Sequence, residues 1–229
     1  MLPAAVIFDC DGTLVDSEHL ANDVFAAMVA AQGLQMTGRD AMIRFRGMKL
    51  AECLAQIEAE LGRELPSTFV AEFRERTATA FRNELKPVPG AMALVAALNI
   101  PMCVASSGPR EKIELSLSLT GLLPFFAGRI FSSYEVGFWK PDPGLFLHAA
   151  KAMAVEPSRC VVVEDSLPGI QAGIAAGMTV FAFQPDAIDA RIPAGVSVVQ
   201  SLPQLQALFQ GWSAGERFGK LDNTGTASG

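Results

Sequence analysis

The amino-acid sequence predicts an α/β protein built on a parallel sheet, with an all-helical domain inserted after the first strand. Three observations carry this. Short, continuously apolar runs recur at residues 5–8, 102–105, 129–132, 160–163, 179–183 and 196–199, as expected of strands covered on both faces. Apolar residues at helical spacing fill the gaps from Gly90 onward. Between residues 17 and 86 the strand signal vanishes and only the helical period remains. Alternating strand and helix of this kind builds a doubly wound, three-layer α/β/α sheet, Rossmann-like in architecture.

The first strand, residues 5–8, ends on two carboxylates, Asp9 and Asp11, with a glycine turn at Gly12. The chain then leaves the sheet through Asp16 and Ser17, the latter placed to cap a helix. Leu20, Val24 and Met28 form one apolar stripe, Leu50, Leu54, Ile57 and Leu61 a second, and Phe69, Phe73, Thr77 and Phe81 a third. Lys86, Pro87, Val88, Pro89 and Gly90 lead back, and the prolines stiffen that connection. Core helices follow on Met92, Val95 and Leu98, on Ile113 and Leu117, on Phe146, Ala149 and Met153, and on Ile170 and Ile174. The expected division is a catalytic core over residues 1–16 and 87–210, a helical cap over 17–86, and a partly disordered tail over 211–229.

Composition narrows the function. The chain of 229 residues is 50% hydrophobic, yet no apolar run approaches the roughly 20 residues needed to span a bilayer. The opening residues carry no basic segment before an apolar one, so the expected location is the cytoplasm. Cys10, Cys53, Cys103 and Cys160 are widely spaced within apolar stretches and read as reduced structural thiols. A net charge of −6 with no Lys/Arg cluster argues against nucleic acid as a partner. An anionic substrate must then find positive charge in single basic residues, helix N-termini or a bound metal.

Four polar clusters stand directly after predicted strands: residues 9–13, residues 106–108, Lys140 with Pro141, and Glu164 with Asp165. On one parallel sheet they share the carboxyl edge, where ligands bind. Together they suit phosphoryl transfer, in which an attacking carboxylate and a phosphate dianion repel each other unless cations intervene. Asp9 and Asp165 can hold Mg²⁺ with oxygen ligands, while Lys140 and Ser106 hold phosphoryl oxygens. Asp9 can then attack, and Asp11 can exchange a proton with the leaving oxygen. Each cluster also has a plainer use. Residues 106–108 can cap the helix starting near Pro109, Glu164 and Asp165 can be helix-start acids before Pro168, and Lys140 can be a solvated lysine at a proline turn. His19 and His148 are the only histidines, and the chemistry needs neither.

The order Asp-x-Asp-Gly-Thr, Ser, Lys-Pro and Glu-Asp, at residues 9–13, 106, 140–141 and 164–165, resembles the four motifs of the haloacid dehalogenase superfamily. The helical insert is similar to the cap of the subfamily that contains β-phosphoglucomutase, phosphoglycolate phosphatase and small sugar phosphatases. The resemblance implies that Asp9 is the nucleophile and Asp11 the acid/base. It implies that Mg²⁺ is held by the Asp9 side chain, the Asp11 backbone carbonyl and Asp165, with Glu164 as direct or water-mediated support. Gly12, Thr13, Ser106, Ser107 and Lys140 are the implied phosphate contacts. In the cap, Arg46 and Lys49 are either a solvated basic face or substrate contacts that favour a second anionic group, as in a sugar-acid phosphate. The implied activity is a phosphatase acting on a small phosphorylated metabolite. A sugar phosphomutase and an inactive metabolite-binding protein are the alternatives. Mutases of this type carry a histidine where this chain has Ala21, and dehalogenases replace the second aspartate, which here is Asp11.

Overall fold

The computed structural model describes residues 3–186 and 188–213. Among these, six strands form one wholly parallel sheet in the order β3-β2-β1-β4-β5-β6. The strands are β1 (Ala5–Phe8), β2 (Met102–Ser106), β3 (Ile130–Ser132), β4 (Cys160–Glu164), β5 (Thr179–Phe183) and β6 (Ser197–Val199). All of the apolar runs in the sequence therefore pair into this sheet. Chain order runs outward from β1 to β3 and then returns to β4 on the other side, which puts the reversal point at the β1/β4 seam. That is where such sheets open a ligand crevice at their carboxyl edge. Phe8, the last residue of β1, pairs with Val104 and with Val163, so β4 runs one residue and β2 two residues beyond the end of β1 at the same edge.

Helices cover both faces of the sheet because its strands are apolar on both: every residue of β1, β2 and β4 is buried. One face packs Ile7, Cys103, Val162 and Val180 against Phe146, Ala149, Ile170 and Ala172. Those partners lie on two helices, Gly144–Ala152 and Leu167–Ala175. On the other face Phe8 meets Phe126 edge to ring, with centroids 6.1 Å apart. Burying each such side chain contributes about 1.5–3 kcal/mol. The last helix, Leu202–Ser213, stacks Phe209 and Trp212 on Phe181. It runs three residues past the expected end of the core at 210, and the rest of the expected tail, 214–229, lies outside the described residues.

Residues Asp16–Lys86 form a separate compact unit. They contain four helices, Glu18–Ala31, Gly38–Phe45, Leu50–Leu61 and Phe69–Glu84. The unit has its own core: the ring of Phe25 is met edge-on by Phe45, Phe69 and Phe73 at 5.6, 6.3 and 5.7 Å. The helix Gly38–Phe45 is additional to the three stripes read from the sequence. It buries only Ala41 and Phe45, too few to show a period. Its start is nevertheless fixed by a capping box, in which the Thr37 hydroxyl accepts from the Asp40 N–H while an Asp40 oxygen accepts from the Thr37 N–H. Ser17 does occupy the N-cap of the first helix of this unit, but its side chain makes no capping hydrogen bond, because its backbone is already helical. The connections on either side are tied to each other. Val88 N–H donates to the Leu14 carbonyl, and Asp16 N–H to the Lys86 carbonyl, both at 3.0 Å.

All four cysteines are unbridged and buried. No helix among the described residues is long and apolar enough to cross a membrane.

Candidate active site

Asp9 follows β1 directly, and the next residues coil tightly: the N–H groups of Leu14 and Val15 both return to the Cys10 carbonyl. Gly12 is required in this coil for two reasons. Its φ is +76°, and a Cβ there would stand 2.7 Å from an Asp165 oxygen. The coil is thereby pressed against the end of β4, where Thr13 donates to Asp165 Oδ1 at 3.3 Å.

Asp9, Glu164, Asp165 and Lys140 are 7%, 1%, 3% and 7% exposed. Charges this deeply buried must be paired. The Lys140 ammonium bridges Asp9 Oδ1 at 2.5 Å and Glu164 Oε2 at 2.6 Å, with the face of Phe146 at 5.0 Å. It reaches them from the loop before the helix Gly144–Ala152. Lys140 is thus no solvated turn residue. The other Glu164 oxygen accepts from the N–H and hydroxyl of Ser166 at 3.0 and 2.8 Å.

One oxygen from each of Asp9, Glu164 and Asp165 can be chosen so that all lie within 4.8 Å of one another. Three carboxylates therefore converge with a single ammonium among them, and the surplus is negative. The electrostatic consequence falls on Asp9: burial first, then the nearness of Glu164, pushes its pKa well above the usual carboxylate value despite the opposing Lys140. Burial works against the charge of Lys140, but Asp9 and Glu164 outweigh it and hold its pKa above the ordinary lysine value. An all-oxygen donor set with excess negative charge fits a hard divalent cation such as Mg²⁺. Oxygens sharing one such ion at about 2.1 Å lie roughly 3–4 Å apart, within the 4.8 Å that bounds the spacing here.

Gly169, in the first turn of the helix Leu167–Ala175, has a different kind of necessity. A Cβ there would lie 2.0 Å from Glu164 Cδ, so the helix can approach the strand end only without a side chain. Gly169→Ala gains up to about 1 kcal/mol in helix propensity, but relieving the overlap costs about 1–3 kcal/mol. The expected net result is a lower melting temperature in EDTA and weaker Mg²⁺ binding by calorimetry. A variant as stable as the parent, with unchanged Mg²⁺ affinity, would show that Glu164 is not held by this contact.

The plainer uses of the other clusters are corrected by the geometry. Ser106 and Ser107 do not cap the following helix, Arg110–Leu119. Pro109 is its N-cap residue rather than its first helical one, and no side chain bonds to it. The Ser106 hydroxyl instead accepts from Gly108 N–H at 3.1 Å, which keeps it at the strand end. Glu164 closes β4, and the helix after it is capped by Ser166, whose hydroxyl accepts from Gly169 N–H. Asp11 does not join the carboxylate trio. Its Oδ1 accepts from Lys112 Nζ at 2.8 Å. His19 is exposed and lies 3.3 Å from Asp16, and His148 packs against Phe131. Arg46 and Lys49 belong to the helical unit, where Arg46 faces Glu18 at 3.7 Å and Lys49 is the N-cap residue of Leu50–Leu61.

Two residues of this region carry no sequence motif. Gln184, 2% exposed, donates to the Asp165 carbonyl at 2.6 Å and so ties the end of β5 to a member of the trio. Lys112 sits in the first turn of its helix, where the macrodipole disfavours a cation. That misplacement was the available signal.

A buried carboxylate cluster stands at the switch point of a doubly wound sheet, and comparison with known proteins shows the class of protein that carries it. The family model for haloacid dehalogenase-like hydrolases matches residues 3–177. The chain is 42% identical to the 6-phosphogluconate phosphatase of Escherichia coli (strain K12) over 183 residues, covering 80% of this chain and 83% of that one. It is 31% identical to a fructose-1-phosphate phosphatase of the same organism over 198 residues, covering 82% and 97%. Among solved structures, a hydrolase from Deinococcus radiodurans with bound phosphate and sodium superimposes with a TM-score of 0.74 at 30% identity, covering 92% and 96%. The chain belongs to the haloacid dehalogenase-like hydrolases. It is an enzyme of the phosphoric monoester hydrolase type.

Proposed function

We propose that the protein is a Mg²⁺-dependent cytoplasmic phosphatase that hydrolyses a small sugar or sugar-acid phosphate, such as 6-phosphogluconate, through an aspartyl-phosphate at Asp9. The observation that carries this reading is the convergence of Asp9, Glu164 and Asp165 around one ammonium at the β1/β4 seam. The names of the similar proteins support phosphatase chemistry on sugar phosphates, and a similar structure that holds phosphate supports recognition of that anion. Four unbridged, buried thiols suit a reducing compartment.

Bound at the Asp9, Glu164 and Asp165 oxygens and the Asp11 carbonyl, Mg²⁺ would supply the positive charge that lets a phosphate dianion approach a carboxylate. Asp9 attacks phosphorus, the bond from phosphorus to the sugar oxygen breaks, and the Asp11 proton passes to that oxygen. A water molecule then attacks the phosphoryl group and gives its proton to Asp11. The Asp9–phosphorus bond breaks and inorganic phosphate leaves. Lys140 holds Asp9 and offsets charge throughout, and the Ser106 hydroxyl with the backbone of Gly12, Thr13 and Ser107 receives the phosphoryl oxygens. The helical unit acts as the cap, and Arg46 and Lys49 select a second anionic group.

The test is a panel of sugar, sugar-acid and glycolate phosphates with Mg²⁺, scored for phosphate and for isomerised ester. Phosphate release supports the proposal. An isomeric product would make the enzyme a mutase, and no turnover of any ester would leave a binding protein. Lys49→Ala should raise KM for 6-phosphogluconate several-fold while leaving neutral sugar phosphates unchanged. An unaltered ranking would remove Lys49 from substrate selection.

A further inference from the structure

We propose that Lys112 is a positioning residue for proton transfer: its ammonium fixes the Asp11 carboxylate so that one defined oxygen meets the departing ester oxygen. The inference rests on the phosphatase reading above. Lys112 Nζ lies 2.8 Å from Asp11 Oδ1. A methyl group built on Gly108 would stand 3.7 Å from the second oxygen, Asp11 Oδ2, and 3.5 Å from Ser106 Oγ, so Oδ2 lies near the loop that follows β2. By fixing Oδ1, Lys112 sets the orientation of Oδ2 there.

The helix explains why this arrangement is rigid. Lys112 is three residues beyond the N-cap Pro109 of Arg110–Leu119. Its N–H donates to the Pro109 carbonyl, and the next residue, Ile113, is buried in the core. The helix itself is clamped to the sheet, since Arg110 pairs with Glu135 and Glu114 and donates to the Ile130 carbonyl at 2.8 Å. A lysine here opposes the helix dipole at a cost to the helix. A carboxylate directly in front of it offsets that cost. Lys112 acts on the Asp11 carboxylate, whereas the metal would take the Asp11 backbone carbonyl, so the two effects can be measured apart.

The leaving group provides the test. p-Nitrophenolate departs without a proton, whereas a sugar alkoxide requires one. In Lys112→Met, kcat/KM for 6-phosphogluconate should fall about 10- to 100-fold, while kcat/KM for p-nitrophenyl phosphate falls less than about three-fold, and Lys112→Arg should restore part of the loss. The Mg²⁺ affinity by calorimetry should stay within a factor of about two. Equal losses on both esters, or weakened Mg²⁺ binding, would show a structural role and overturn the proposal. If the unmodified enzyme cleaves neither ester, the phosphatase reading itself fails, which is a distinct outcome.

Discussion

Asp9→Asn should lower phosphate release by at least about 10⁴-fold, because in the proposed mechanism it removes the attacking group rather than a contact that assists it. The loss should come without loss of the fold. In EDTA, Asp9 is one of three buried carboxylates facing one ammonium, and Lys140 keeps Glu164 as a partner when Asp9 becomes neutral. Burial, and then Glu164, raises the Asp9 pKa in the folded protein, so the native state binds this proton more tightly than the unfolded chain does. The stability Asp9 contributes is therefore greatest below its ordinary pKa near 4 and is lost as pH rises through the folded value. Asparagine does not titrate. The melting-temperature difference between Asp9→Asn and the parent, both in EDTA, should consequently grow in the variant's favour from about pH 4 to pH 7. Saturating Mg²⁺ at pH 7 should shrink or invert that difference by stabilising the parent more. A variant that melts well below the parent in EDTA would mean that Asp9 serves the fold through contacts other than these charges.

Lys140→Met has the opposite character. It keeps most of the volume beside Phe146 but leaves Asp9 and Glu164 buried without their shared cation. Breaking a buried pair from one side costs about 3–5 kcal/mol, which for a chain of this size lowers the melting temperature by roughly 6–20 °C in EDTA. Turnover should also collapse. Two additions should recover stability: saturating Mg²⁺, which brings charge back, and the second substitution Glu164→Gln, which removes the orphaned one. Neither should restore turnover. If Lys140→Met melts with the parent in EDTA, the bridging ammonium is not what holds the carboxylates.

The legible parts of this chain are those whose physical cause is local. Residues 5–8 and 160–163 read as strands because both faces are buried, so no alternation interrupts them. Asp9, Glu164 and Asp165 stood out because acids at the ends of such runs have no use in a core, whereas Lys140, on the loop before Gly144–Ala152, was raised above a solvated turn lysine only by the company of the other clusters. The helix Gly38–Phe45 was hidden because its packing is confined to Ala41 and Phe45 among charged neighbours, although the Thr37–Asp40 box marked its start. Capping by Ser106 was a reasonable expectation from composition, but a hydroxyl two residues before an available N–H closes the shorter turn first. Gln184 was invisible, and Lys112 showed only as a cation misplaced at a helix start, for a different reason. Each works through a partner far along the chain, Asp11 and Asp165, and a lysine or glutamine in such a position has no spacing that announces its partner.

The nucleophile can be observed directly. Enzyme quenched in acid during turnover of 6-phosphogluconate with Mg²⁺, then reduced with borohydride, should yield homoserine at position 9 in the peptide spanning β1, because borohydride reduces an acyl phosphate to the alcohol. The signal should need both substrate and Mg²⁺ and vanish in Asp9→Asn. Rapid phosphate release with an unmodified Asp9, or with the reduced residue elsewhere in the chain, would contradict an aspartyl-phosphate at this site.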